Sequence, residues 1–423
     1  MHRQMRAGDL GSRLLIDPAI REDPFPYYDQ LREQGRIVRS GIALISAHHD
    51  VCLAVLRSPD FGQVRLDQLP GPIRLAMKFG GRPVLGPIEP PSMVVMDPPE
   101  HTRYRKLVTR AFSARAIAAL RCRVEEIAEE LLDEIADSIP KTGPRAGDAT
   151  VDLVARYASL LPATVIAEML GAPVAMRRQF LDWGAGASLS LDVGLSYRDF
   201  RRCEHDLTAL HRWMLGHFAE IRRAHRADVP SKDILSALVT AHDDDGKLTT
   251  DELSSTAMLL LAAGFETTVN LLGNGAVLLL RHPDQLGPLR TQPAGWANAV
   301  QEILRHESPV QRTGRVALRD TEVAGHRVPA GSFIILLLGG ANRDPAIFPN
   351  PDRFDVRRVE AGENLAFSSG IHYCIGAALA RVEGEVGLQA LFRRFPDLAL
   401  AGAPHRRPTR VLRGYDTIPV RVG

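Results

Sequence analysis

The densest chemistry in the chain is the run Phe367-Ser-Ser-Gly-Ile-His-Tyr-Cys-Ile-Gly-Ala, where Cys374 stands between Gly370 and Gly376 just before a predicted helix. A thiolate there faces the positive end of the helix dipole and unbonded N–H groups, which lower its pKa. The glycines let backbone approach the sulfur, or a flat ligand, closely. Residue types alone leave three readings open: a reactive or metal-binding thiolate, a nucleophile paired with His372, or a thiol that packs at a helix start. A second constellation is Glu266-Thr267, an acid beside a hydroxyl inside an apolar stretch. Such a pair suits proton delivery, and its structural counterpart is a threonine that bonds back to an i−4 carbonyl and bends the helix. Glu302 and Arg305 lie three apart and His101 and Arg105 four apart, so each pair shares a helix face.

These groups need elements to hold them. Met258–Leu280 carries Glu266 as its one charge and is long enough to cross a bilayer. The carboxylate at mid-span would cost about 2.5–3.5 kcal/mol in lipid, and Asn270, Asn274 and three glycines accompany it, so a helix buried inside protein is expected. Further helices are expected at Glu125–Ile139, Val151–Leu170, Asp199–Arg226, Gln292–His306 and Ile375–Phe395. Strand patterns occur at Arg36–Ile45, Arg315–Leu318, Glu322–Val328 and Phe333–Leu338, with Pro329-Ala-Gly as a turn. The Pro/Gly-rich stretch Leu69–Pro91 reads as a long functional loop. Asp243–Glu252 resembles a calcium loop when Gly246 is aligned, but the first ligand position falls on Ala241; a helix-to-helix turn capped at Thr249 or Thr250 explains it without calcium. The fold expected is mainly α with a small β-sheet region, in a single large domain over residues 1–423.

Composition narrows the class. Hydrophobic residues are 45% and charged residues 24%, with 52 basic against 50 acidic side chains, a net of +2. This is an ordinary globular balance with no call for a polyanion, so no nucleic-acid partner is expected. The four cysteines are far apart with no CxxC, which predicts free thiols in a reducing compartment. The N-terminus lacks the apolar core of a signal peptide, and the expected location is cytoplasmic.

Several motifs together resemble one family. Phe367-x-x-Gly370-x-His372-x-Cys374-x-Gly376 is similar to the haem-ligand loop of the cytochrome P450 family, soluble bacterial type. Ala263-Gly264-Phe265-Glu266-Thr267 resembles its oxygen-activating central helix, and Glu302-Ile-Leu-Arg305 its Glu-x-x-Arg helix, with Arg353 as third member of a buried ion pair. Asp97-Pro-Pro-Glu-His-Thr-Arg-Tyr-Arg resembles the segment that begins the helix over the haem propionates. One departure is Ser368, where a glycine is common. The resemblance implies haem b buried between helices, with Cys374 as axial thiolate and metal ligand. It also implies His101, Arg105, Arg315 and His372 on the propionates, and Ala263, Gly264, Phe367, Gly370 and Gly376 against the ring. Glu266 and Thr267 would be the catalytic pair that delivers protons to dioxygen, and Glu302, Arg305 and Arg353 the scaffold.

The activity implied is monooxygenation: one atom of O2 inserted into a small apolar substrate (lipid, steroid, terpenoid or polyketide-like) and the other reduced to water. No fused reductase follows Phe395, so a separate ferredoxin and ferredoxin reductase are expected as electron donors. The cluster Arg103, Arg105, Arg110, Arg115 and Arg121 is a candidate docking face for an acidic carrier. Two rival readings keep the haem: direct use of peroxide, and ligand sensing without turnover. Candidate substrate-lining segments are Leu69–Pro91, Met93–Met96, Phe180–Leu195, Ala263 and Val310–Thr313.

Overall fold

Amphipathic spacing and deliberate caps build most of the chain into helices. In this computed structural model residues 9–64, 91–109, 112–140, 149–190, 196–227, 233–243 and 248–422 are described. They gather into two compact units, Met1–Phe61, Ala114–Pro162 and Thr267–Gly423 in one, and Gly62–Ser113 and Ala163–Glu266 in the other. Neither unit is contiguous in sequence. The Thr250–Arg281 helix gives its first half to one and its second half to the other.

In the first unit a small mixed sheet pairs Leu44–Ser46 parallel with Phe333–Leu336, and Thr313–Ala317 antiparallel to the latter. Its residues alternate between two cores, because successive strand side chains point to opposite faces. Leu44, Ile334 and Leu336 join Val51, Cys52, Val55 and Leu56 of the His49–Arg57 helix. Ile45, Ile335 and Leu337 join Leu14, Tyr27, Tyr28 and Leu31 from the N-terminal helices. A sheet apolar on both faces fixes Arg315 inside the fold, on Thr313–Ala317.

Three local expectations change. Arg36–Ile45 is not one strand: Val38–Arg39 folds back antiparallel on Leu44–Ser46. Val151–Leu170 is not one helix. Ala149–Asp152 is a strand paired antiparallel with Pro419–Val422, followed by a π-turn at Val154–Ala158 and an α-helix at Leu160–Met169. Asp152 ends the strand: its Oδ1 accepts from Val154 N at 3.0 Å and Ile418 N at 2.9 Å. Glu322–Val328 is likewise a hairpin of Thr321–Val323 and His326–Val328, with Ala324 at φ 52° and Gly325 at φ 78° as its two turn residues.

In the second unit the Thr250–Arg281 helix starts with a capping box. Thr249 Oγ1 accepts from Glu252 N at 3.2 Å while Glu252 Oε2 accepts from Thr249 N at 2.8 Å. The same Glu252 receives both Nη atoms of Arg103, at 2.7 and 3.2 Å, and the Tyr104 hydroxyl. This ties the Glu100–Thr109 helix to the start of the long helix. Asp243 is taken by Arg222 at 2.7 Å, and its carboxyl is lowered to about 2, chiefly by that bond. That pair ends the preceding helix; Asp244, Asp245, Gly246 and Lys247 of the calcium-like stretch lie outside the described residues. The long helix passes the length and hydropathy test for a membrane span, yet 78% of its most apolar window is buried in protein. Tyr197–Arg226 buries Cys203, Leu207, Leu210, Met214 and Phe218 along one stripe. Its arginines face outward to acids, Arg201 to Glu204 and Arg202 to Asp206.

Candidate active site

The loop around Cys374 is held rigidly from three sides. Cys374 N donates to Phe367 O at 3.0 Å, closing the loop, and Ala377 N donates to Cys374 O at 3.4 Å where the Ala377–Arg394 helix begins. Gly370 has φ +69°, and a Cβ there would fall 2.2 Å from the carbonyl oxygen of Leu56, so only glycine fits. Arg57 Nε adds a bond to Ser369 Oγ at 3.0 Å. On the other flank the Arg381 guanidinium sits 4.6 Å over the Phe367 ring and donates to the Tyr373 hydroxyl at 3.0 Å. Cys374 itself is exposed, and a Cβ at Gly376 would lie 4.0 Å from its Sγ. An exposed cysteine beside a glycine is the kind of position a flat, metal-centred ligand needs.

Behind the loop lies a buried ion-pair network. Arg305 grips Glu302 bidentately at 2.6 and 2.8 Å, both side chains fully buried. Arg305 Nη1 also donates to Asn342 O at 3.0 Å; Asn342 Oδ1 accepts from Leu365 N at 2.6 Å, and Leu365 O from Ser368 N at 2.9 Å. That path connects the Trp296–His306 helix to the Cys374 loop in a few bonds. The third member differs from expectation. Arg353 is 66% exposed and pairs loosely with Asp355 at 3.7 Å. Arg358 replaces it, buried, with Nε 3.3 Å from Glu302 and Nη groups on the carbonyls of Pro349, Asn350 and Arg353. Arg353 contributes its carbonyl and not its charge. Arg353, Arg357 and Arg358 all follow within the same short segment, and residue type alone does not choose among them.

Two further groups were not anticipated. Glu383 is buried on the Ala377–Arg394 helix, in register with Leu379, Val386 and Ala390. Burial pushes its carboxyl up to about 8 against a hydrogen bond with Thr268. One acid on an apolar helical stripe is a signal that periodicity could have found. Glu252 is the other, described above as the anchor of Arg103 and Tyr104.

In the second unit His101 is buried and Arg105 half-buried on one face of Glu100–Thr109. Burial, with the nearby Arg105 charge, holds His101 below the usual imidazole range and so neutral. Along the long helix Glu266 is buried, Gly264 and Thr267 half-buried, and Ala263 exposed although Leu261 and Phe265 on either side are buried. Gly264 serves packing: a Cβ there would lie 2.9 Å from Ile166 Cδ1 and Cγ1. This helix–helix contact is a packing role for Gly264 beside the cofactor contact that the resemblance implies for it, and Ala263 next to it is exposed. Gly184 makes similar room for Phe265, 1.9 Å from the Cβ position.

The arginine cluster is largely committed within the chain. Arg103 binds Glu252, and Arg121 binds Glu385 at 2.7 Å and Glu125 at 3.4 Å. Arg115 is exposed, and Arg110 lies outside the described residues, as does Leu69–Pro91 apart from Pro91.

A cytochrome P450 family model matches residues 85–291 and 297–404. A protein named cytochrome P450 140 from Mycobacterium tuberculosis is 46% identical over 99% of this chain and 93% of its own length. The 6-deoxyerythronolide B hydroxylase of Saccharopolyspora erythraea is 43% identical over 78% of each chain. The crystal structure of myxobacterial cytochrome P450 CYP267B1 in complex with myristic acid superposes with a TM-score of 0.85 at 34% identity, covering 97% of this chain and 99% of that one. Agreement in sequence and fold across nearly the whole length settles the class: the chain belongs to the cytochrome P450 family and is an oxidoreductase of the monooxygenase type.

Proposed function

We propose that this chain inserts one oxygen atom of O2 into an apolar substrate built from acyl units, a fatty acyl chain or polyketide macrolactone, with Cys374 as the thiolate ligand of haem b. The Cys374 loop carries the reading: an exposed cysteine in a loop closed by a backbone bond and braced by a buried ion-pair network. The family implies haem on a cysteine thiolate, and the residues present fit it. In the first unit Cys374 is exposed beside Gly376, and Arg315 and His372 are donors of the kind a carboxylate needs; in the second, His101 and Arg105 are donors of the same kind and Ala263 is an exposed small residue. When bound, the thiolate-ligated haem supplies the activation of O2 and the oxygen transfer.

The chain's own groups do the rest. Glu266 brings a buried carboxyl and Thr267 the neighbouring hydroxyl, to pass protons toward the distal side. Glu383, neutral near pH 7, keeps a second proton at the Thr268 hydroxyl. Substrate class rests on the relatives, one named for a macrolactone and one holding a fatty acid. Electrons come from a ferredoxin and its reductase. Among the described members of the basic cluster, exposed Arg115 is the candidate for docking them.

The test is a carbon monoxide difference spectrum of the reduced protein beside Cys374→Ser. A strongly red-shifted Soret band in the parent, lost in the variant, is the expected result. An ordinary histidine-type band in fresh parent protein would overturn the ligand assignment. On the same preparation, reconstituted with ferredoxin and reductase, Thr267→Ala is expected to consume reductant without matching product. Unchanged coupling would remove Thr267 from the proton path.

A further inference from the structure

In the second unit one carboxylate does more than its place at a helix start requires. Glu252, the last residue of the calcium-like stretch, is buried in the first turn of the Thr250–Arg281 helix. A capping box needs one bond from its acid, and glutamine serves there as well as glutamate. Glu252 makes four among the described residues: Oε2 accepts from Thr249 N at 2.8 Å and Arg103 Nη1 at 3.2 Å, and Oε1 from Arg103 Nη2 at 2.7 Å and the Tyr104 hydroxyl. Two donors on each oxygen fill the acceptor sites of a carboxylate. Burial raises the Glu252 carboxyl, but the Arg103 and Tyr104 bonds outweigh it and hold it below the usual range.

Arg103 and Tyr104 are neighbours on the Glu100–Thr109 helix, so their side chains leave it about 100° apart. Because both converge on one carboxylate, the helix cannot roll about its axis without breaking a bond. The Arg103 guanidinium also lies 4.4 Å over the Tyr104 ring, which stiffens the pair. The buried stripe of this helix is His101, Tyr104 and Val108. Tyr104 lies three residues beyond His101 on one face, with Arg105 beside it. Holding the Tyr104 hydroxyl therefore sets where His101 and Arg105 point.

We propose that Glu252 is a positioning residue for His101 and Arg105 and that, through them, it tunes the reduction potential of the haem. This rests on the reading above that these two side chains meet the haem carboxylates. Donors on those carboxylates offset negative charge near the iron, and hydrogen bonding around the group is one of the protein's levers on its potential. When the Glu100–Thr109 helix can roll, that offset weakens and the ferric state gains. Glu252→Gln releases the helix in either amide orientation, because each carboxylate oxygen holds one Arg103 nitrogen and the amide NH2 cannot accept from it.

The experiment is redox potentiometry of the haem-loaded, substrate-free protein, with a carbon monoxide difference spectrum and a thermal unfolding curve on each preparation. Parent, Glu252→Gln, Arg103→Gln and Thr249→Ala are compared. The Arg103 side chain is 44% exposed and its variant keeps the cap, so it carries the test should Glu252→Gln fail to fold. Thr249→Ala removes a bond of the cap and leaves the Arg103 and Tyr104 bonds in place. The expected result is a lower midpoint potential in Glu252→Gln, by about a tenfold shift toward the ferric form or about 59 mV. Arg103→Gln should fall less, and Thr249→Ala should keep the parent potential while melting earlier. A role in folding alone would lower unfolding temperatures and leave every potential at the parent value. That outcome, a parent potential in Arg103→Gln, or an equal fall in Thr249→Ala, would overturn the proposal. In each of these cases a red-shifted carbon monoxide band in the parent keeps the haem–thiolate reading standing, whereas a parent without that band would overturn both.

Discussion

At the scale of single residues, the Cys374 loop contains one position whose side chain works against its backbone. Ser368 has φ +61°, a left-handed conformation that costs a residue with a Cβ about 1–2 kcal/mol. Its hydroxyl is buried with no hydrogen-bond partner, while its N–H is used by Leu365 O. Both penalties vanish in glycine, offset by glycine's greater freedom when unfolded. Ser368→Gly is therefore expected to stabilise the protein by about 1 kcal/mol. Ser368→Ala, which keeps the strained φ, should gain less. Urea unfolding of the haem-loaded protein at constant slope measures this, and a neutral or destabilised glycine variant would refute it.

At the scale of elements, the ion-pair network joins the Trp296–His306 helix to the turn-rich segment before the loop. Arg358 is buried on Glu302, so Arg358→Gln leaves a buried carboxylate short of a partner and is expected to cost about 3 kcal/mol, with loss of retained haem. Arg353→Gln removes an exposed, loosely paired charge and should cost under about 1 kcal/mol. Equal losses in thermal denaturation and haem content would mean that the two arginines share the role. The pair shows what the chain makes legible. Glu302 and Arg305 share a helix face by spacing alone, and Cys374, Gly370 and Gly376 declare a tight loop by residue type. Which arginine joins them depends on the path of an irregular segment, where no periodicity says which side chains turn inward. Thr150-Val151 illustrates the same limit: its β character is decided by pairing with Pro419–Val422, more than 250 residues away. Gly264 is a third instance, since a glycine in a buried helix can admit a ligand or a neighbouring Ile166, and only packing chooses.

At the scale of the whole molecule, buried titrating groups give the fold opposite sensitivities on its two pH limbs. On the acid side, burial raises the Glu307 carboxyl, but Arg413, Arg406 and Arg343 outweigh it and hold it at about 2. Burial, aided by Arg343, keeps His306 neutral down to about 3. The unfolded chain binds protons at both groups at higher pH than the fold does, so their stabilisation is lost as pH falls below about 6.5 and then 4.5. Glu383 acts in the other direction. Its folded value of about 8 lies above the unfolded 4.5, so between those values the fold holds a proton that the unfolded chain has released. Stability falls as pH rises through that window, by up to about 1.4 kcal/mol per pH unit. Glu383→Gln keeps the shape and the neutral bond to Thr268 but cannot ionise. Denaturant titrations from pH 5 to pH 8 should therefore show the Gln variant gaining steadily on the parent as pH rises. If the two curves run parallel, Glu383 ionises as an ordinary carboxyl, and the proton held beside Thr268 is not part of the folded molecule.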